Sequence, residues 1–200
     1  MADILYVYKN SIYANLTNKC PCRCTFCIRN NTDAIGNADT LWHKQDPSLK
    51  EIKKAVDEFD FTGFNELVFC GYGEPTNALE NLIATAQYIR EKHSNIKLRL
   101  NTNGLGDAIN KKPIAELLSH YIDSVSISLN TCSSEKYDEV CRPVFKNAYE
   151  SMLKFAQDAN KYFAQTQLSI VDTIPKEDIE ACKKIADDMG IYLRIRKYSN

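Results

Sequence analysis

The chain has 200 residues, 44% of them hydrophobic, which suits one domain with a real core. Its formal net charge of -1 argues against a polyanion partner held by bulk charge. No apolar run reaches the roughly 18–20 residues of a membrane span, and the start, "MADILYVYKN", has an acid and no basic n-region. A cytoplasmic protein with reduced thiols, folded as one domain over 1–200, is the expectation.

Short β-branched runs alternate with longer amphipathic ones. "ILYVY" (4–8) and "SIYANLT" (11–17) read as strands meeting at Lys9-Asn10, a hairpin turn. "DPSLKEIKKAVDEFD" (46–60) opens on the helix-entry pair Pro47-Ser48 and spaces Leu49, Ile52, Val56 and Phe59 helically. Then follow strand "NELVFC" (65–70), helix "NALENLIATAQYIREKH" (77–93), strand "IKLRLN" (96–101) and helix "KPIAELLSHY" (112–121). After them come strand "SVSISLN" (124–130), helix "NAYESMLKFAQDANKYF" (147–163) and strand "TQLSIVD" (166–172). Helix "PKEDIEACKKIADDMG" (175–190), closed by Gly190, leads to a last strand, "YLRIRKY" (192–198).

Repeated strand–helix–strand units predict an α/β fold with a parallel sheet and outer helices. Six such strands from "SIYANLT" onward predict a partial (β/α)6 barrel preceded by a short strand or hairpin, with a flat doubly wound sheet as the alternative. Strand parity favours the barrel. Val125, Ile127 and Leu129 oppose Ser126, Ser128 and Asn130, and Leu98 and Leu100 oppose Arg99 and Asn101. Leu193 and Ile195 oppose Arg194, Arg196 and Tyr198, while Ala14 and Leu16 oppose Tyr13, Asn15 and Thr17. A parallel sheet covered on both faces would be apolar on both. The polar parity therefore predicts a wet lumen that holds ligands.

Four of the eight cysteines fall in "NKCPCRCTFCIRN" (18–30). Cys20, Cys24 and Cys27 form C-x-x-x-C-x-x-C, and Cys22 breaks the series. Three thiolates on one loop can hold three corners of a four-iron cluster and leave one iron open. Zinc is the alternative, but it favours paired knuckles or Cys/His sets, and none of His43, His93 or His120 lies in a second knuckle.

This loop, with Phe26 before the last cysteine, resembles the signature of radical S-adenosylmethionine (radical SAM) enzymes. "CGYGEPT" (70–76) resembles that family's Gly-Glu-Pro motif, with Tyr72 where a glycine is usual. "LNTNG" (100–104), "SISLN" (126–130) and "SIVD" (169–172) resemble its cofactor-contacting strand ends. More narrowly, "LTNKCPCRCTFCIRN", "FCGYGEPTN" and "YDEVCRPVF" look like the TatD-associated radical SAM proteins.

The resemblance implies a [4Fe-4S] cluster on Cys20, Cys24 and Cys27, and S-adenosylmethionine held by Phe26, Gly73, Glu74, Pro75, Asn101, Thr102, Ser128, Asn130 and Val171. Arg142, in "CRP", is a further candidate to reach a carboxylate or phosphate, with a surface arginine capping a loop as the alternative. It also implies an external one-electron donor of the flavodoxin or ferredoxin class, and a 5′-deoxyadenosyl radical that abstracts hydrogen from a substrate in the lumen. Arg99, Arg194 and Arg196, on the polar parity, are candidates for an anionic substrate group; an internal ion pair with Glu66 is the alternative. Cys70 is a candidate hydrogen donor or a buried small residue. Cys132 and Cys141 are placed on a loop after the fourth parallel strand, where a second cluster with Cys22 would need them. Cys182 is expected in the core. A glycyl-radical activase acting on a partner protein and a non-catalytic zinc or iron–sulfur module are the competing functions. Nucleic acid has little support, since no basic aromatic stripe appears.

Overall fold

The computed structural model describes residues 2–198. Seven strands form one sheet in sequence order: β1 (Leu5–Tyr8), β2 (Ser11–Ala14), β3 (Glu66–Phe69), β4 (Lys97–Thr102), β5 (Ser124–Ser128), β6 (Gln165–Val171) and β7 (Tyr192–Arg196). β1 and β2 form an antiparallel hairpin, and β2 through β7 are parallel. Successive parallel strands added in one direction put every crossover on the same side, because such crossovers share a hand. The sheet is not closed, and the fold is a partial barrel of six parallel strands. No helix among the described residues is long and apolar enough to cross a membrane.

The helices are α1 (Leu49–Glu58), α2 (Leu79–Lys92), α3 (Gly106–Asn110), α4 (Ala115–Ser119), α5 (Ser134–Cys141), α6 (Ala148–Tyr162) and α7 (Lys176–Asp188). Ser48 caps α1 in a reciprocal capping box with Glu51, as its entry sequence requires. Two helices were not expected from the sequence. One is α3; the other is α5, where the sequence reading has only a loop. Ser133 caps α5, but its polar run "SEKYDEVC" shows little apolar period. Cys141 is thus the last residue of a helix rather than a loop residue, whereas Cys132 precedes the helix. The predicted 112–121 helix shortens to one turn and a half in α4.

Register confirms the parity of the strands. Ile12, Leu67 and Leu98 lie in one row, and Ala14, Phe69, Leu100 and Val125 in the next, all nearly solvent-free against the helices. On the other face Arg99 neighbours Ser124, and Asn101, Ser126, Gln167 and Tyr192 form a row. Ser128, Ser169 and Arg194 form another, and Val171 neighbours Arg196. The polar lumen does not extend under the hairpin. There a small core of Tyr6, Leu41 and Tyr72, flanked by Tyr8 and Tyr13, fills the space. An open cavity of about 640 Å³ lies instead at the N-terminal ends of β3, β5, β6 and β7, lined among others by Glu66, Arg99, Ser124, Gln165, Tyr192 and Arg194.

Arg99 spans the mouth of that cavity to Glu66 through two hydrogen bonds, Nε–Oε1 at 3.0 Å and Nη2–Oε2 at 2.8 Å. Ser11 donates to the same carboxylate at 2.9 Å. Burial alone would raise the Glu66 carboxyl, but the Arg99 guanidinium overrides it and holds the group below its ordinary value. Its stabilising contribution is therefore present above the unfolded pKa of about 4.3 and lost as pH falls through the lowered folded value. Glu66→Gln is expected to cost about 1–2 kcal/mol at neutral pH, since the pair is only partly buried. Denaturant titrations of variant and wild type should begin to approach each other below the unfolded value and converge only once pH is under the lowered folded value.

Candidate active site

The cysteine loop leaves β2 at the C-terminal rim and is pinned on three sides. The backbone N–H of Glu74 donates to the Lys19 carbonyl at 2.8 Å, tying it to the loop after β3. The N–H groups of Arg23 and Thr25 donate to the carbonyls of Cys141 and Val140, each at 2.9 Å, and that of Val144 donates to Pro21 at 2.9 Å. The end of α5 and the residues after it therefore run beside the loop. The third tie is Arg29, whose guanidinium donates to the carbonyls of Asn18 (3.3 Å), Tyr72 (3.2 Å) and Cys22 (3.4 Å).

The loop after β3 packs so closely that only glycine fits at two positions. A Cβ on Gly71 would lie 2.1 Å from Asn15 Oδ1, and one on Gly73 would lie 2.3 Å from the Thr17 carbonyl and 2.7 Å from that of Lys19. Beside them, the carboxylate of Glu74 is buried and fully engaged. It accepts from Thr102 Oγ1 (2.7 Å), the Asn103 N–H (2.7 Å), Thr76 Oγ1 (2.8 Å) and the Thr76 N–H (3.2 Å). Desolvation pushes this carboxyl above its ordinary value despite those bonds. Pro75 opens the short 3-10 turn that carries Thr76.

The sulfurs form a graded set. Hydrogen bonds from Cys141 and Cys22 lower the Cys24 thiol to about 4, and Cys22 lowers Cys20 in the same way. The donating thiols, Cys22 and Cys141, are pushed up correspondingly. Burial raises Cys27. The positive charge of Arg29 favours the thiolate at Cys20, Cys24 and Cys27 alike. Asn103 Nδ2 points at the sulfurs of Cys20 (3.9 Å) and Cys22 (3.8 Å). Asn130, in the left-handed region at φ 63°, donates Nδ2 to Cys141 Sγ at 3.3 Å. Among the described residues, no three cysteine, histidine or carboxylate side chains are gathered closely enough to hold an ion.

Other expected residues are more scattered. Ser128 and Val171 sit at the ends of β5 and β6, and Asn101 accepts from Arg99 Nη1 at 3.0 Å. Phe26 is half-buried in the cysteine loop. Arg142, exposed at the left-handed cap of α5, bonds the Glu139 carbonyl at 3.4 Å. Cys70 ends the run from β3, its thiol raised by burial. The thiols proposed for a second cluster are split. Cys22 and Cys141 face the cysteine loop, whereas Cys132 faces Asp178. Cys182 is buried in the core and pushed up to about 12 by desolvation. His43 Nε2 donates to the Asn15 carbonyl at 2.9 Å and His93 stacks on Phe61, so both serve packing. Asn103 and Arg29 escaped the sequence reading. Asn103 lies inside the quoted "LNTNG", and Arg29 follows the last loop cysteine by two positions.

A model of the radical SAM superfamily matches residues 14–189. The chain belongs to that superfamily. It is 33% identical over 132 residues to a GTP 3′,8-cyclase of Corynebacterium glutamicum, covering 64% of this chain and 33% of the relative. It is 30% identical over 158 residues to a putative glycyl-radical enzyme activating enzyme of Methanocaldococcus jannaschii, covering 76% of this chain and 61% of the relative. The radical SAM chain thus spans about one third to three fifths of these curated relatives. Streptococcus suis SuiB bound to S-adenosylmethionine shares the fold with a TM-score of 0.69 at 18% identity, over 96% of this chain and 41% of that one.

Radical SAM proteins use a [4Fe-4S] cluster and S-adenosylmethionine. The residues here fit both groups. Three cysteines on one rim loop, with amide and guanidinium donors about them, match a cluster with one open iron. At the end of β5, Asn130 Oδ1 and Thr131 Oγ1 are buried with no partner, which native folds avoid unless a ligand or water completes them. Gly73→Ala is expected to displace the cysteine loop and lower both stability and iron uptake, because its Cβ would strike backbone oxygens. Glu74→Gln puts an amide N–H₂ among four donors and should cost about 1–3 kcal/mol in a denaturant titration of the cofactor-free protein.

Proposed function

We propose that this chain cleaves S-adenosylmethionine reductively and passes the resulting radical to a substrate held against the inner face of the sheet. The observation that carries the proposal is the single hydrogen-bonded unit formed by the cysteine loop, the Gly-Glu-Pro loop and the end of α5. We read the segments "LTNKCPCRCTFCIRN", "FCGYGEPTN" and "YDEVCRPVF", which meet in that unit, as those of the TatD-associated subgroup.

In this reading Cys20, Cys24 and Cys27 hold a [4Fe-4S] cluster whose reduced form supplies the electron for cleavage of the sulfonium bond. Glu74 acts as a positioning residue, because its carboxylate is already occupied by Thr76, Thr102 and Asn103. The carbonyls of Tyr72 and Glu74 already accept from Arg29 and Asn77, so those of Gly71 and Gly73 are the ones left to receive the methionine ammonium. Ser128, Asn130 and Thr131 present hydroxyl and amide groups to the ribose and carboxylate, and Val171 packs beneath the adenine. The protein supplies orientation and exclusion of water, while the cofactor carries the difficult step.

Of the three arginines considered for substrate, Arg99 is engaged with Glu66 and is better read as structural. Arg194 and Arg196 pair with no carboxylate among the described residues, and Arg196 lies level with Val171 at the rim. These two are the candidates for an anionic substrate group. A partner protein as substrate is the second reading, favoured by the similarity to a putative glycyl-radical enzyme activating enzyme.

Anaerobic reconstitution should give a brown protein with about four irons per chain. With dithionite and S-adenosylmethionine it should form 5′-deoxyadenosine. Cys24→Ala is expected to lose iron and product together, whereas Cys22→Ala keeps the iron. A colourless zinc-loaded protein without product would sink the proposal. Arg196→Ala should leave substrate-free cleavage intact and weaken only the stimulation by substrate.

A further inference from the structure

The two edges of the sheet are treated differently. At β1 the connection after the cysteine loop lies against the strand. The Val7 N–H donates to Asn37 Oδ1 at 2.7 Å, the Val7 carbonyl accepts from the Asn37 N–H at 3.1 Å, and the Asp3 N–H donates to the Thr40 carbonyl at 2.9 Å. A Cβ on Gly36 would lie 2.0 Å from the Val7 carbonyl, so the cover is close. β7 has no such cover among the described residues. In a parallel pair, alternate residues turn their backbone groups to opposite sides. The Arg196 carbonyl accepts from the Asp172 N–H at 3.0 Å, so Tyr192, Arg194 and Arg196 face β6 while Leu193 and Ile195 turn outward. Among the described residues nothing bonds the N–H or carbonyl of Leu193 or Ile195. The bare stretch stops at Tyr198, whose N–H donates to Asp172 Oδ1 at 2.7 Å and whose hydroxyl accepts from Asn31 Nδ2 at 3.1 Å.

A free edge is ordinarily guarded by a bulge, a proline or outward-pointing charge. β7 has none of these. Its register with β6 runs unbroken from Tyr192 to Arg196, it contains no proline, and the side chains beside the free groups are Leu193 and Ile195. Ile195 is 43% exposed and Tyr192 70%, so apolar surface flanks the edge on both faces. The arginines of the strand stand on the other parity, where Tyr192 and Arg194 line the 640 Å³ cavity at the mouth of the lumen. A surface lysine in bulk water needs no partner, but these two arginines share a concave face. Desolvation there, together with the charge of Arg194, lowers the Arg196 guanidinium below its ordinary value. Glu66, whose charge and that of Arg194 act on each other, is already bound by Arg99. Residues 191–198 hold three cations and no acid, in a chain whose charges nearly cancel.

We propose that the β7 edge docks an extended acidic segment of a partner polypeptide, which joins the sheet as an added strand. The free N–H and carbonyl groups of Leu193 and Ile195 supply the backbone pairing. Cross-strand neighbours then set the partner's side chains. Beside Leu193 and Ile195 it carries apolar or β-branched residues, and beside Arg194 and Arg196 it carries carboxylates. The docking motif therefore alternates acid with apolar, and its acidic parity faces the lumen. A second copy of β7 does not fit, because pairing would set Arg194, Arg196 and Lys197 of the two copies against one another. This inference goes beyond the radical SAM reading and requires no radical to form.

Fluorescence anisotropy on the reconstituted holoprotein tests this with labelled, end-blocked octapeptides. One alternates glutamate with valine, and a second has lysine for every glutamate. Two further copies of the first carry N-methyl groups on the valine amides or on the glutamate amides. The acidic peptide should bind, and the lysine copy should bind about tenfold more weakly or worse. An added strand uses only alternate amides toward its neighbour, so one methylated copy should lose about tenfold in affinity and the other should keep it. Ile195→Pro removes an outward N–H and no bond to β6. It should weaken the acidic peptide about tenfold and leave substrate-free formation of 5′-deoxyadenosine within about twofold. The methylated pair, measured on the wild type, keeps the test decisive if that variant misfolds. Failure of the acidic peptide to bind, equal binding of the lysine copy, or equal effects of the two methylations would overturn the proposal. A wild-type dimer that Ile195→Pro dissociates would overturn it too, by placing a second copy on the edge. Absence of 5′-deoxyadenosine with peptide binding intact would instead overturn the radical SAM reading and leave the docking edge supported.

Discussion

The site depends on the buried carboxylate of Glu74. One residue joins three segments: its backbone N–H holds the cysteine loop at Lys19, and its carboxylate holds the end of β4 through Thr102 and Asn103. It also caps the turn that carries Thr76. Leaving such a carboxylate unpaired in the interior would be costly, so all its partners must be in place together. That requirement converts three separate strand-end loops into one rigid rim. The glycines at 71 and 73 let the loops approach closely enough for these bonds to form.

The inner face of the sheet divides by task. Below the hairpin it is closed by tyrosines and Leu41, which fix β1 and β2 to the connection after the cysteine loop. At the N-terminal mouth Arg99 and Glu66 stitch β3 to β4 and leave an open cavity. At the C-terminal rim Asn130 Nδ2 reaches the Cys141 sulfur, and Asn130 Oδ1 and Thr131 Oγ1 are buried without a partner. Polar side chains on one parity thus do different work at different heights. A row of serines or arginines is therefore not by itself a ligand site.

Much of this was legible in the sequence. Period-two alternation with a polar inner parity indicated the barrel, because only a sheet with an accessible inner face tolerates Ser126, Asn101 and Gln167 at the same height. The cysteine loop, the Gly-Glu-Pro segment and the strand ends that follow indicated the cofactor class together, through their resemblance to radical SAM enzymes. The helix at 134–141 was not legible, since eight residues with two buried side chains give too little apolar period. Cys141 was consequently read as a loop residue with a weak claim to a second cluster. In the fold it is the thiol that hydrogen-bonds Cys24, and Cys132 is turned away toward Asp178. The roles of Asn103 and Arg29 were equally hidden, since an amide or guanidinium becomes a partner of sulfur or carbonyl only when distant loops meet.

Alone, the sequence determined the order of the strands and of the helices other than α3 and α5, the inward and outward faces, and the three-cysteine loop. These are set by local periodicity and spacing, which survive without knowledge of neighbours. The tertiary structure decided which arginine is spent on an ion pair, which cysteine contacts which, and that Glu74 is a clamp. It also decided that Asn37 covers the β1 edge of the sheet while the β7 edge is bare among the described residues. Those are long-range juxtapositions, and hydrogen bonding and desolvation act on the groups that the fold brings within a few ångströms, not on their distance along the chain.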